Sequence, residues 1–288
     1  MQLKLDRVTK QYKNKIAVDD MSIQFQAGVY GLLGANGAGK TTLMRMICGI
    51  LRPDRGNIEL DGIKVQEEAY RDQLGYLPQE FGYYPEFKAK DFMMYLAALK
   101  GIKKSKAKLK TAELLELVSL EKEANKKIGT FSGGMKQRLG IAQALINEPS
   151  VIILDEPTAG LDPKERVKFR NLIAHLGSQH IVLLSTHIVS DIEYIADQVL
   201  MMKDGKLIHQ GKPEEIIKNI QNKVWECKVA PEKAKKLMAE ESVVNLREDQ
   251  GETFLRIISD EKPVEEAHLS EATLEDLYLY YFAEKEVQ

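Results

Sequence analysis

Eight consecutive residues, Gly34-Ala35-Asn36-Gly37-Ala38-Gly39-Lys40-Thr41, follow the spacing G-x-x-x-x-G-K-[ST]. Glycines let successive backbone N–H groups converge on an anion with no Cβ in the way. A helix beginning at Lys40 adds unpaired amide donors and a partial positive charge. The Lys40 ammonium supplies a full charge near β- and γ-phosphates, and the Thr41 hydroxyl is a hard oxygen ligand for Mg²⁺. The chemistry is that of gripping a nucleoside triphosphate.

A second constellation stands at Val151-Ile-Ile-Leu154-Asp155-Glu156. A bare hydrophobic strand ends there in two acids. Asp155, at the strand tip, is placed to hold Mg²⁺ directly or through water. Strand neighbours alternate faces, so Glu156 is expected to point elsewhere, where it can polarise a water for in-line attack on a γ-phosphate. Alone, Asp-Glu-Pro also reads as a turn after a core strand; the phosphate loop favours the catalytic reading. Gln79 follows Gly75-Tyr-Leu-Pro78 and is a neutral ligand candidate for Mg²⁺ or the attacking water, or a surface glutamine. His187 follows the strand Ile181–Ser185, from whose end it can reach the γ-phosphate; a lone loop histidine can equally be structural.

These residues need a scaffold. Leu3 and Leu5, then Met21, Ile23 and Phe25, alternate as strands do. Val29–Leu33 is a buried strand, and the helical spacing Leu43, Met46, Ile47, Ile50 runs from Lys40 to before Pro53. Asp61-Gly62 and Asp204-Gly205 read as tight hairpin turns. Residues 88–124 look helical. Ser132 caps a helix running to about Ile146. A helix spans about Pro163 to Leu176, with proline in its first turn. Strands apolar on both faces, alternating with helices, predict a parallel sheet covered on both sides. After 220 the pattern changes to strands at Val224–Val229, Val243–Arg247 and Thr253–Ile258, a helix over Pro231–Ala239, a hairpin turn at Asp249-Gln-Gly251, and a closing amphipathic helix over Thr273–Phe282.

The 288 residues suit two domains at about 150 residues each. With 44% hydrophobic and 29% charged residues, the chain reads as globular rather than disordered or fibrous. A net charge of -2 excludes an overall basic, nucleic-acid-gripping surface. Residues 221–288 carry nine basic and sixteen acidic side chains, a balance of -7, whereas residues 1–220 carry 32 and 27, a balance of +5. This shift marks a domain boundary near 220. Cys48 and Cys227 are far apart, which is no disulfide framework and suits a reducing compartment. The start of the chain has no apolar signal segment, and no apolar run approaches the roughly 20 residues that span a bilayer. Any membrane work would require another chain.

The order Gly34–Thr42, Gln79, Phe131-Ser132-Gly133-Gly134-Met135-Lys136-Gln137-Arg138, Leu154-Asp155-Glu156-Pro157, Gly160-Leu161-Asp162, Ser185-Thr186-His187 resembles the ATP-binding subunit of an ABC transporter over residues 1 to about 220. Ser132-Gly133-Gly134 discriminates, because other P-loop enzymes lack it. The resemblance implies a P-loop α/β fold of ABC type, a mixed sheet core with an antiparallel β subdomain and a helical subdomain at about 88–145, followed by a small α+β extension at 221–288. It implies ATP and Mg²⁺ as ligands, with Thr41, Gln79 and Asp155 toward the metal, and Lys40, Gln79, Glu156 and His187 in hydrolysis. Gly34, Ala35, Asn36, Gly37, Ala38, Gly39, Lys40, Thr41 and Thr42 would bind the phosphates. Tyr12 resembles the aromatic that stacks on adenine, though alone it reads as a half-buried core residue. Ser132, Gly133 and Gly134 would cap the γ-phosphate of ATP held by a second subunit, and Asp162 resembles the aspartate that crosses that interface. Gln79 would link the active site to the membrane partner.

The implied partners are a second ATP-binding subunit, identical or related, and a separate integral-membrane permease, at the cytoplasmic face of the cell membrane. Two positions depart from the family pattern: Phe131 replaces the usual leucine and Met135 the usual glutamine, whose amide hydrogen bond a thioether cannot repeat. The tail is similar to the extension on ATPases of ABC-2-type exporters, which tilts the reading toward export over import; its plain reading is a packing or dimerisation module. The ribosome-binding relatives carry two such cassettes, and the chromosome type needs a coiled coil for which residues 42–131 leave no room. Ser132-Gly-Gly argues against a kinase or GTPase. The lysine-rich stretch from Lys100 to Lys110 reads as a solvated helix face, with anionic lipid headgroups as the alternative.

Overall fold

A computed structural model describes residues 1–249 and 251–282. These fall into two compact units, Met1–Gln210 and from Gly211 onward. The compactness boundary precedes the charge shift at 220 because residues 211–220 hold two lysines and two glutamates and leave the charge balance unchanged. Their short helix belongs to the second unit.

In chain order the first unit contains β1 (Leu3–Tyr12), β2 (Lys15–Phe25), β3 (Gly28–Leu33), α1 (Lys40–Ile47), β4 (Arg55–Leu60), β5 (Ile63–Lys64), α2 (Glu68–Asp72), β6 (Leu74–Leu77), α3 (Ala89–Leu99), α4 (Lys104–Leu117), α5 (Gly133–Ala144), β7 (Val151–Asp155), α6 (Pro163–Gly177), β8 (Ile181–Ser185), α7 (Val189–Ile195), β9 (Gln198–Lys203) and β10 (Lys206–Gly211). The second contains α8 (Pro213–Ile216), β11 (Val224–Val229), α9 (Pro231–Glu240), β12 (Ser242–Asp249), β13 (Glu252–Ile258), β14 (His268–Leu269) and α10 (Leu274–Phe282).

The first unit carries an antiparallel sheet ordered β2-β1-β4-β5 and a six-stranded sheet ordered β10-β9-β3-β8-β7-β6. Every residue of β3, β7 and β8 is buried, as expected for strands covered on both faces. One core joins both sheets, with Leu3, Phe25, Leu32, Met44, Ile47, Tyr70, Val151 and Leu183 fully buried in it. Each such side chain contributes about 1.5–3 kcal/mol. Asp61-Gly62 and Asp204-Gly205 both take positive φ (48° and 85°, 48° and 78°), the backbone of two-residue hairpin turns.

The parallel strands β6, β7, β8, β3 and β9 set where the chemistry goes. Their registers pair Leu77 with Leu154, Asp155 with Ser185, and Ser185 with Leu32. The strands therefore end together, and Gln79, Glu156, His187 and the Gly34 loop emerge side by side from their carboxyl ends. In open α/β sheets this is where ligands bind.

Three sequence expectations shift. The α1 helix stops at Ile47 because Cys48 caps it and Gly49 turns to φ 67°. The helical region from 88 divides into α3 and α4 at Gly101, which takes φ 71°. The lysine stretch straddles that break, and Lys106 and Lys110 pair with Glu148 at 3.5 and 3.3 Å. Glu156 lies beyond β7 at φ 51°, so a left-handed turn rather than strand alternation separates its side chain from that of Asp155.

In the second unit the sheet runs β12-β13-β11-β14. Its core holds Cys227, Val229, Leu255 and Ile257 under Ala234 and Leu237 of α9. Both cysteines are buried free thiols. β12 and β13 meet at the expected hairpin, with Asp249 opposite Glu252; its middle residue, Gln250, lies outside the described residues. No helix among the described residues is long and apolar enough to cross a membrane.

Candidate nucleotide site

The loop between β3 and α1 shapes the site. Gly39 takes φ 109°, and a Cβ there would lie 2.0 Å from the Ala17 carbonyl oxygen, so no other residue fits. Lys40 follows as the first residue of α1. Its ammonium donates to the carbonyls of Gly34 at 2.6 Å and Ala35 at 3.2 Å, folding back over the loop. Burial pulls this ammonium below the ordinary lysine range, while Glu156 and then Asp155 oppose the shift. An entering triphosphate would add counter-charge and favour the ammonium. The Ala38 side chain is buried, and its carbonyl accepts from the Gly205 N–H at 3.0 Å, which fastens the loop to the β9–β10 hairpin.

Around this loop opens a cavity of about 350 Å³. Tyr12, Asn36, Gly37, Gly39, Lys40, Thr41, Thr42, Gln79, Asp155 and Glu156 all line it. Lys15 and Ala17 line it as well, and neither stands out in the sequence. The Lys15 ammonium lies 3.2 Å from where a Gly37 Cβ would be, over the phosphate loop. The only signal was its place three residues after Tyr12, across the β1–β2 turn. Tyr12 is 47% exposed and presents an open ring, which answers the core-residue reading.

Two acids divide the far wall. Asp155 is buried and accepts a 2.6 Å hydrogen bond from Ser185 Oγ, its register partner on β8. Ser185 was visible in the sequence without a role; adjacency of the two strands supplies one. Glu156 accepts from His187, whose Nδ1 lies 2.8 Å from Oε2 and whose backbone N–H lies 3.4 Å from the same oxygen. The Glu156 N–H donates to the Ser185 carbonyl at 3.0 Å. His187 does not line the cavity; it stands at the rim, with its side chain 67% exposed.

The Thr41 hydroxyl, the Gln79 amide oxygen and the Asp155 carboxylate form a set of oxygen donors at one cavity. That donor set fits Mg²⁺, which prefers oxygen ligands and completes its shell from water and phosphate.

Ser132, Gly133, Gly134 and Asp162 stand apart from this cavity. Ser132 caps α5, its Oγ accepting from the Met135 N–H at 3.3 Å. Ser132 and Gly133 are exposed, and nothing lies within 4 Å of a Gly133 Cβ position. Asp162 caps α6 by accepting from the Glu165 N–H at 2.8 Å. The two helix starts are joined: Glu165 packs on Gly134 and pairs with Arg138 Nε at 3.1 Å. Phe131, the departure from leucine, is buried beside them as an ordinary core side chain.

The family model described as ABC transporter matches residues 18–159. An uncharacterized ABC transporter ATP-binding protein, YxlF of Bacillus subtilis, is 40% identical over 228 residues, covering 79% of this chain and 76% of that protein. The bacitracin transport ATP-binding protein BcrA of Bacillus licheniformis is 40% identical, covering 72% and 69%. A Nod factor export ATP-binding protein I of Burkholderia orbicola is 38% identical, covering 74% and 71%. Among solved structures, an ATP-binding subunit of an ABC transporter superposes with a TM-score of 0.68 at 27% identity, covering 76% of this chain and 93% of that one. A dimeric ATP-binding cassette, MJ0796, in a post-hydrolysis state with ADP and Pi, gives 0.66 at 27% identity, covering 73% and 98%. With a phosphate loop, two acids and a rim histidine gathered at the strand ends, and these relatives matched over most of their length, the chain belongs to the ABC transporter family as an ATP-binding subunit with the ABC-type ATPase fold and activity.

Proposed function

We propose that this chain is the energy-coupling ATPase of an exporter, working as a dimer of ATP-binding subunits on a separate integral-membrane permease at the cytoplasmic face of the cell membrane. The observation that carries the dimer is the incompleteness of the cavity. Its own lining holds one helix N-terminus, at Lys40, while a second anion-ready N-terminus, at Gly133, lies exposed outside it. Another subunit would bring that second tip onto the γ-phosphate, placing ATP within the interface. ATP then favours closure because it binds the closed pair better than the open one.

In this reading Tyr12 stacks on adenine, and the Gly34–Thr42 loop with Lys40 holds the phosphates. Thr41, Asp155 and Gln79 would hold Mg²⁺, which when bound neutralises phosphate charge. Glu156 accepts the proton of the attacking water as the water oxygen bonds to the γ-phosphorus and the bond to the β–γ bridging oxygen breaks, releasing ADP. His187, at the rim, contacts the γ-phosphate. Asp162 faces the other subunit.

The coupling route begins at Gln79. Directly after it, Phe81, Tyr84, Phe92, Tyr95 and Leu99 line a second cavity of about 400 Å³, and Tyr84, Tyr95 and Leu99 are exposed. An aromatic hollow of this kind suits a cytoplasmic segment of the permease. The export names of relatives and the second unit support the direction of transport.

The test is Glu156→Gln in the full chain with ATP and Mg²⁺. Sedimentation should show an ATP-dependent dimer, and adding Gly133→Ala should abolish it. A monomer at saturating ATP would overturn the dimer, and failure of any membrane protein to co-purify from the source cell would overturn the permease partnership.

A further inference from the structure

Asp191 is fully buried on α7, four residues after His187. Neither of its carboxylate oxygens receives a hydrogen bond. Its counter-charges come from another helix: Arg166 Nε lies 3.8 Å from Oδ2 and Arg170 Nε 3.8 Å from Oδ1. Both arginines lie on α6, the helix that Asp162 caps. A buried carboxylate with one partner removed is strongly unfavourable, so this arrangement fixes where α7 can sit against α6.

The same two segments are tied twice more. Thr158 Oγ1 and Thr186 Oγ1 are 3.4 Å apart, and His187 meets Glu156. All three links join the segment after β7 to the segment after β8. The α7 helix has only seven residues, and its N-cap, Ile188, offers no side-chain hydrogen bond to the helix. Its buried apolar side chains, Val189, Ile192 and Ile195, carry no directional preference, and Tyr194 stacks against the Arg170 guanidinium, which lies 5.0 Å from the ring centroid. The buried charged anchor of α7 is Asp191, held between the guanidiniums of Arg166 and Arg170.

We infer that Arg166, Asp191 and Arg170 form a positioning device that sets His187 against Glu156, and that it governs the hydrolytic step rather than ATP binding. Asp191 does not line the cavity, so it acts through His187. The inference rests on the roles proposed above for Glu156 and His187. Small displacements of a catalytic group can cost large factors in rate with substrate binding untouched.

The test is steady-state ATPase kinetics on the full chain, with thermal melts to confirm folding. Asp191→Asn keeps the volume and removes the charge. It should lower kcat about tenfold or more with KM for ATP unchanged, and Asp191→Glu should restore part of the rate. Arg166→Met, at the partly exposed side of the cluster, should show the same kcat-selective loss and serves if Asp191→Asn does not fold. Wild-type kcat in Arg166→Met, or equal changes in kcat and KM in these variants, would overturn the inference. The control is His187→Ala. If its turnover is lost while the Asp191 and Arg166 variants are normal, only the positioning device fails. If His187→Ala turns over normally, the role of His187 fails, and the inference with it.

Discussion

His187 Nδ1 and Glu156 Oε2 are 2.8 Å apart across the ends of two neighbouring parallel strands. Each side chain therefore restrains the other, and the far ring nitrogen of His187 is left facing away from Glu156. A carboxylate held by an imidazole on one side keeps acceptor capacity on its other oxygen for a water. Glu156→Gln removes the base without changing shape. Phosphate release should fall by about 100-fold or more, while calorimetric titration with ATP and Mg²⁺ shows binding retained. Near-normal turnover would remove Glu156 from the role of base.

Gly39 and Gly133 give opposite expectations for the same substitution. Gly39→Ala places a methyl group 2.0 Å from the Ala17 carbonyl at φ 109°. It should distort the loop, lower the melting temperature and abolish ATP binding. Gly133→Ala meets nothing within 4 Å inside its own subunit and sits in the first turn of a helix. Alanine favours helix over glycine by about 1 kcal/mol. The melt should be unchanged or raised and monomeric ATP binding kept, while turnover is lost because the methyl group occupies the approach of the other subunit's phosphate. Full turnover in Gly133→Ala would count against the two-subunit site.

Tyr12 offers an exposed ring at the cavity, with the Lys10 ammonium 5.9 Å from its centroid. Stacking of a base on an aromatic ring is worth about 1–3 kcal/mol and tolerates any base. Tyr12→Ala should raise KM for ATP by about 10-fold with kcat little changed, Tyr12→Trp should restore it, and GTP should be accepted by the wild type. Loss of kcat with unchanged KM in Tyr12→Ala would place the ring elsewhere in the cycle.

The loop, the two acids and the rim histidine were legible because each is local: a motif of fixed spacing, or a polar residue at the end of a bare apolar strand. Val151–Asp155 and Ile181–Ser185 have the expected boundaries, since turns delimit runs buried on both faces. What stayed hidden depends on pairing across the chain. Ser185 gained its role from register with Asp155, and Lys15 from the fold of β1 and β2 over the phosphate loop. Asp191 is one acid in the mixed run Ile188–Ile195 until α6 brings two arginines to it. Charge counting could not place the unit boundary at 210, because residues 211–220 are electrically balanced.

The second unit contains its own charged cluster. Arg256 donates to both oxygens of Asp276, at 2.9 and 2.7 Å, and to Glu226. Asp276 also caps α10 through the Thr273 N–H and hydroxyl, each at 2.8 Å. Burial raises the Asp276 pKa, but the Arg256 and Thr273 hydrogen bonds outweigh it, so the net shift is downward. A carboxyl whose folded pKa lies below its unfolded value stabilises the fold above the unfolded value, about 3.9. That contribution is lost as pH falls through the lower, folded value. The single tryptophan, Trp225, lies in β11 and donates to the Ser259 carbonyl at 3.1 Å, so its fluorescence reports on this unit alone. Arg256→Met leaves Asp276 buried without its partner and should cost about 3–5 kcal/mol at neutral pH. In the wild type the Trp225 signal should lose denaturant resistance below about pH 4. Asp276→Asn should be less stable at neutral pH and show a flatter acid limb. An acid limb of the same slope in Asp276→Asn would assign the acid sensitivity to other carboxylates.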